Sequence, residues 1–193
     1  MIVPSPEIWH RDDLPILCNW RKLWRAVEVG VDRGEFAGMF LSRWQGYEWY
    51  GVDSYAPYPE MPYDRTPDYE MAISRIRPHG SRARLLRHGS VEAAGFFRDG
   101  SFDFIYIDGA HDYASVKADL EAWYPKLSPQ GILAGHDWTD QGVHAGVKPA
   151  VTELAKRIGR TVYITTVEGY NHEVCPSWYL YRSGMPGPEW RRC

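Results

Sequence analysis

The stretch from Phe102 to Trp138, FDFIYIDGAHDYASVKADLEAWYPKLSPQGILAGHDW, constrains the fold of this chain more than any other. Two apolar runs, Phe104–Ile107 and Gly131–Ala134, read as strands, and the segment between them, Tyr113–Tyr124, reads as one amphipathic helix. A connection of that length is a crossover between adjacent parallel strands. Each strand runs directly into acid and histidine: Asp108 and His111 after the first, His136 and Asp137 after the second. Parallel neighbours end on the same edge of a sheet, and that edge is where α/β sheets place their ligands. The four side chains are therefore expected to converge, and their chemistry is that of a metal site.

The remaining pattern alternates strand and helix, which argues for an α/β fold: a doubly wound, Rossmann-like sheet of about seven mostly parallel strands with helices on both faces. Residues 13–23 read as a short helix within an N-terminal helical segment, 1–24. Strands are expected at Arg25–Val29, Trp49–Val52, Ala83–Arg87, Thr161–Thr165 and Ser177–Tyr181. Helices are expected at Glu35–Trp44, with Phe36, Phe40 and Leu41 on one face, and at Asp68–Arg77, Ser90–Phe97 and Lys148–Ile158. Tyr55–Pro67 holds four prolines in thirteen residues, which excludes regular structure there. A βα connection of that length reads as a lid or substrate wall. The Thr139–Val147 loop is glycine-rich, and the tail from Ser183 reads as loosely held. At 193 residues one domain is the simplest reading.

Three further motifs sit at strand ends. Glu28-Val-Gly30-Val-Asp-Arg-Gly34 follows the first long strand and opens a helix; it is either a plain turn or a place where a ligand approaches the backbone. The dinucleotide fingerprint G-x-G-x-x-G is absent. Asp53 ends the next strand, about twenty residues on, where an acid either caps a loop or accepts hydrogen bonds from ribose hydroxyls. Gly89-Ser90 follows the third, where serine caps the next helix or faces a base edge.

Composition excludes several partners. A net charge of −3 gives no basis for binding nucleic acid or a membrane surface. No run approaches the roughly 18 apolar residues of a transmembrane helix, and the N-terminus lacks the features of a secretory signal. Cys18, Cys175 and Cys193 are scattered, which fits a reducing compartment, so a cytoplasmic protein is expected. Nine Trp and thirteen Tyr are unusual, and are read either as core filling or as a pocket wall for flat or sugar-like faces.

E-x-G-x-x-x-G after the first strand, an acid ending the second, Gly-Ser after the third and I-D-G-x-H after the fourth together resemble class I S-adenosylmethionine-dependent methyltransferases. The span from Ile107 through Gly131-Ile-Leu-Ala-Gly-His-Asp-Trp138, followed by Gly146, Val147, Ala150 and Val151, is similar to their small metal-dependent O-methyltransferase branch. That branch includes macrolide-sugar and polysaccharide O-methyltransferases and cephalosporin-hydroxylase-like proteins. The resemblance covers Arg25 to Thr165. It departs at Gln130, where the branch has glycine, and at His136, where many relatives carry Asp or Glu.

The resemblance implies S-adenosylmethionine held by Gly30 and Gly34 with Glu28 orienting the turn, its ribose on Asp53, its adenine facing Ser90, and Asp108 near its ammonium. It implies a divalent metal on Asp108 and Asp137 with His136 as a further ligand. Oxygen ligands suit Mg²⁺, a histidine shifts preference toward Mn²⁺, and His136 is alternatively a second-layer residue. His111, three residues after Asp108, suits a general base because imidazole titrates near neutrality; otherwise it only starts a helix. His144, in the Thr139–Val147 loop, is the rival base or an exposed loop residue. His10, His79, His88 and His172 carry no assignment.

The expected reaction is methyl transfer to a hydroxyl of a sugar, polysaccharide precursor or glycosylated metabolite, with Tyr55, Tyr58, Tyr63 and Trp138 as a stacking wall. A catechol-type O-methyltransferase, a nucleotide-dependent oxidoreductase and a non-catalytic cofactor- or carbohydrate-binding protein are the alternatives. A homodimer that helps close the pocket is a further expectation.

Overall fold

The computed structural model describes residues 2–4, 8–59, 61–165 and 175–183. The strands are β1 (Ile2–Pro4), β2 (Arg25–Val29), β3 (Glu48–Val52), β4 (Ala83–Leu86), β5 (Phe102–Ile107), β6 (Leu127–Gly135), β7 (Val162–Ile164) and β8 (Trp178–Tyr181). They form one sheet in the order β1-β7-β8-β6-β5-β2-β3-β4. Every pairing is parallel except those of β8, which runs antiparallel to β6 and β7. The chain leaves the sheet centre through β2, builds outward to β4, then returns to place β5 on the other side of β2. The carboxyl ends of β2 and β5 therefore flank the point where the winding reverses, and a crevice opens there.

Strand periodicity sorts the core into two layers. Phe104 and Tyr106 of β5 face the layer that holds Phe36, Ala37, Phe40 and Leu41 of α2 (Glu35–Arg43) and Ala72 and Ile76 of α3 (Thr66–Ile76). Ile105 and Ile107 face the opposite layer, with Val116, Leu120 and Trp123 of α5 (Tyr113–Trp123) and Val147, Val151 and Leu154 of α6 (Val147–Ile158). Phe36 stacks on Tyr106, and Phe40 on Phe104, with centroids 4.0 and 5.1 Å apart. Such aromatic pairs contribute about 1 kcal/mol beyond their buried area.

Several boundaries differ from the sequence reading. The N-terminal segment is not helical throughout: β1 pairs with β7, a 3₁₀ turn covers Arg11–Asp13, and only α1 (Leu14–Trp20) is an α-helix. A three-residue edge strand carries no periodicity, and its partner lies far away in sequence. Helix α3 starts at Thr66 because Pro67 falls in its first turn, where a missing N–H costs nothing. Helix α4 (Ser90–Ala94) ends at Gly95, short of Phe97. Strand β6 begins four residues before Gly131; Pro129 and Gln130 ride on a register shift between Phe102 and Phe104 of β5. The tail beyond Ser183, His172 and Cys193 lie outside the described residues.

Candidate active site

One cavity of about 950 Å³ opens over the carboxyl ends of β2, β3, β4, β5 and β6. Its wall includes Glu28, Gly30, Asp53, Ser90, Asp108, His111 and Asp137. Gly34, His136 and His144 are not in that wall.

The glycine turn brings the ends of β2 and β5 together. Gly30 has φ +86°, and a Cβ built on it would lie 1.9 Å from the Asp108 carbonyl oxygen. Gly34 caps α2 with φ +76°, 3.0 Å from the Ala72 Cα on the same test. Glu28 is buried, and its Oε2 finds no hydrogen-bond partner among the described residues. Burial raises its carboxyl well above the usual range, Asp108 adds to the shift, Arg11 opposes it and Asp53 adds again.

Asp53 is already engaged. Its Oδ2 accepts from the Asp32 backbone N–H at 2.9 Å and its Oδ1 from that of Tyr55 at 2.8 Å. The buried Arg65 guanidinium lies 3.6 Å from Oδ1 and also pairs with Asp32 and Asp68. Arg65 faces the Tyr55 and Tyr58 rings as well. The Pro-rich connection thus carries the cation that fixes the acid, which its irregular sequence gave no means of foreseeing.

Asp137 is the hub of the other end. It adopts φ +54°, a strained conformation for a non-glycine residue and one that recurs at functional sites. His111 Nε2 donates to its Oδ2 at 3.0 Å, His136 Nδ1 lies 3.1 Å from its Oδ1, and His144 Nδ1 lies 4.0 Å from the same oxygen. Burial alone would raise its carboxyl, but hydrogen bonds and charge from His111 and His136 hold it far below the usual range. The Cys175 thiol faces it too, and burial and the Asp137 carboxylate push that thiol up.

Asp108 completes the group. Its carboxyl is raised by burial, lowered by His136, raised by Asp137, and lowered by Arg11 and His111. Ligand atoms of Asp108, His136 and Asp137 all lie within 4.8 Å of one another, and so do those of His111, Asp137 and His144. The His111 and His144 rings meet edge to face at 4.3 Å. The Thr139–Val147 loop is pinned over this edge by Gly146, whose N–H donates to the His111 carbonyl and whose Cβ, if present, would lie 2.1 Å from the Tyr113 nitrogen.

Three sequence readings are corrected. Ser90 does not cap α4: Gly89 holds the N-cap position without a side-chain bond. The Ser90 hydroxyl instead accepts from Trp123 Nε1 at 2.9 Å and bonds Asp119. Tyr55 and Trp138 are core residues, 1% and 8% exposed, and Tyr63 is exposed. Of the expected stacking wall only Tyr58 lines the cavity. His88, assigned nothing, lines it as well.

The cavity also holds Arg11 and Asp119, which sequence reasoning missed. Arg11 arrives from the N-terminal 3₁₀ turn, with Nη1 3.9 Å from Asp108 Oδ2. Asp119 had a legible signal: it shares the buried stripe of α5 with Val116, Leu120 and Trp123. Burial raises its carboxyl to about 6, Ser90 lowers it and Asp112 raises it. The unfolded chain ionises near pH 4 and the folded chain near 6, so rising pH through that window favours the unfolded state by about 3 kcal/mol. Asp119→Asn removes the penalty. Its melting temperature is expected to exceed wild type by about 6–12 °C at pH 7.5 and to equal it at pH 3.5. Scanning calorimetry at the two pH values checks this, and an equal difference at both would refute the assignment.

Among the described residues no helix is long and apolar enough to cross a membrane. Solved structures share the fold. The O-methyltransferase from Bacillus cereus in complex with SAH superposes with a TM-score of 0.66 at 14% identity, over 89% of this chain and 80% of that one. The N-methyltransferase NodS from Bradyrhizobium japonicum gives 0.63 at 14% identity, over 90% and 94%. Cofactor-bound Rv0187 from MTB gives 0.66 at 13% identity, over 90% and 79%. Uncharacterized protein y4gI of Sinorhizobium fredii is 38% identical over 115 residues, 60% of this chain; the match spans 11% of that relative's length. A family model described as a methyltransferase domain matches residues 27–138. That match covers more than half of the chain and runs from the glycine turn to Asp137, so the chain belongs to this methyltransferase-domain family.

Proposed function

We propose that this protein is an S-adenosylmethionine-dependent O-methyltransferase that uses a divalent cation, with a saccharide-borne hydroxyl as acceptor. The observation that carries the reading is the convergence of the Gly30 turn, Asp53, Asp108 and Asp137 on one cavity. One feature fits the cofactor: Glu28 Oε2, without a hydrogen-bond partner among the described residues, calls for a donor such as an ammonium group. Asp108 and Asp53 add to the cost of ionising the buried Glu28, a cost that a cationic ligand beside it would offset.

Bound S-adenosylmethionine supplies a methyl group on a cationic sulfur. Gly30 would hold its amino-acid part, Asp53 its ribose and the wall at Ser90 its adenine, while Gly34, outside the cavity wall, shapes the turn from its place against Ala72. Asp108, His136 and Asp137 would hold the cation, which supplies Lewis acidity toward the acceptor hydroxyl. Two carboxylates suit Mg²⁺ and the imidazole suits Mn²⁺. Asp137, by accepting from His111 Nε2, selects the tautomer whose Nδ1 takes a proton from the acceptor. Proximity of the two reactants would provide much of the acceleration. A weakly acidic sugar alcohol needs such a base more than a catechol does, which supports the saccharide reading.

Calorimetry of S-adenosylhomocysteine, with and without Mg²⁺ or Mn²⁺, is the first test; no binding in any condition would overturn the reading. His111→Ala is expected to leave cofactor affinity within about twofold and to lower transfer by about 10²–10⁴. Full activity in that variant moves the base role to His144. Turnover of catechols with none of saccharides would reject the acceptor.

A further inference from the structure

Asp137 is shared by two sets of metal-ligating side chains. Asp108 and His136 make one set with it, and His111 and His144 make the other. The second set is drawn from three places in the chain: His111 from the turn after β5, Asp137 from the end of β6 and His144 from the Thr139–Val147 loop. Its ligand atoms lie within 4.8 Å of one another.

The separations within this set suit an ion better than a hydrogen-bond network. His111 Nε2 lies 3.0 Å from Asp137 Oδ2, and His144 Nδ1 lies 4.0 Å from Oδ1. The longer of the two is beyond hydrogen-bond reach. Nitrogen and oxygen bind zinc at about 2.0–2.2 Å, so two ligands of one such ion stand about 3–4 Å apart. Both separations fall in that range. The loop that carries His144 is tied through its backbone to the other two residues: Gly146 N donates to His111 O at 3.1 Å, and Thr139 N to Asp137 O at 2.6 Å. The three side chains are thus held near one another before any ion arrives. The His144 side chain is 34% exposed, which leaves an entry from solvent.

We propose that His111, Asp137 and His144 form a second metal site, for a late first-row divalent ion such as Zn²⁺. Two imidazoles and one carboxylate are a set that zinc takes with its fourth position left open. The same set is poor for Mg²⁺, which prefers oxygen ligands and keeps its waters. Cys175, whose thiol also bonds Asp137, makes the surroundings softer still. Occupation has a consequence for catalysis, which rests on the methyl-transfer reading above. A neutral imidazole has one free lone pair. When Nε2 gives that pair to an ion, the proton resides on Nδ1, and His111 can no longer take one from the acceptor. Zn²⁺ at this site is therefore an inhibitor. It also draws on the carboxylate that the activating cation would share with Asp108 and His136.

The test is calorimetry of Zn²⁺ and of Mg²⁺ on the chelator-treated full chain, as wild type, His144→Ala and His136→Ala. Wild type is expected to bind Zn²⁺ at least about 100-fold more tightly than Mg²⁺. His144→Ala removes one ligand and is expected to weaken zinc at least about tenfold, and to remove the visible absorption of four-coordinate Co²⁺ bound in its place. His136→Ala is expected to keep the tight zinc event. Zinc affinity lost in His136→Ala and unchanged in His144→Ala would put the ion in the first set and overturn the proposal, as would zinc binding no tighter than magnesium. In turnover with Mg²⁺, added Zn²⁺ is expected to inhibit wild type, and His144→Ala to need at least about tenfold more for the same fractional loss of its own rate. Equal sensitivity of the two would overturn the inhibitory role. Zinc bound as expected by a protein that binds no S-adenosylhomocysteine would keep the metal site and remove the methyl-transfer reading, with the inhibition that rests on it.

Discussion

Replacing Gly30 with alanine is expected to destabilise the protein by about 2 to 5 kcal/mol and to abolish cofactor binding. Two costs add. The residue holds φ +86°, which a side chain disfavours by about 1–2 kcal/mol. The added Cβ would lie 1.9 Å from the Asp108 oxygen, 2.3 Å from its carbonyl carbon and 2.6 Å from the Gly109 nitrogen. All three are backbone atoms, so no rotamer change relieves the clash. The strands must part instead, and the end of the ladder is where they are tied: Gly30 N donates to Val52 O at 2.8 Å and Asp108 N to Val29 O at 2.7 Å. Parting them moves Asp108 away from Asp137. Gly142→Ala is the control, because Gly142 has φ +62° with open space around it and incurs the conformational cost alone. Urea unfolding of both variants separates the terms; equal losses would mean that the close approach of β2 and β5 contributes nothing.

The central strands were legible in the sequence because burial on both faces writes a continuous apolar run. Phe104–Ile107 is such a run and Ala26–Val29 is one but for Glu28, and they end in the poor strand formers Asp108 and Gly30. The crossover between β5 and β6 then placed Asp108, His111, His136 and Asp137 on one edge, where the structure has them. What sequence could not supply is contact made across long separations by isolated residues. Arg11 reaches Asp108 from a short turn, and Arg65 reaches Asp53 from a Pro-rich connection; neither belongs to a periodic segment. Aromatic residues misled for a related reason. Tyr55 and Trp138 lie in irregular segments, where pattern cannot separate a wall from a core, and packing buries both.

Asp137→Asn is expected to reduce methyl transfer by about 10³ or more and to abolish cation-dependent stabilisation. Asparagine tolerates the left-handed backbone that Asp137 adopts, so the fold around φ +54° should survive. The charge does not survive, and three functions depend on it. The carboxylate is one of the oxygens available to a cation beside Asp108 and His136. It holds His111 Nε2, and an amide in its place can present a donor to that nitrogen and select the wrong tautomer. It also lies 3.1 Å from His136 Nδ1. Because the folded carboxyl titrates below its unfolded value, its contribution to stability is complete above about pH 4 and is lost as pH falls below that. The variant should therefore be less stable than wild type at pH 7, by about 2 kcal/mol, and the gap should close in acid. Melting curves with and without Mn²⁺ at pH 7 and pH 3, read beside turnover, test all three functions together. Retained cation response with lost turnover would place the residue with the base alone. Retained turnover would remove Asp137 from the chemistry.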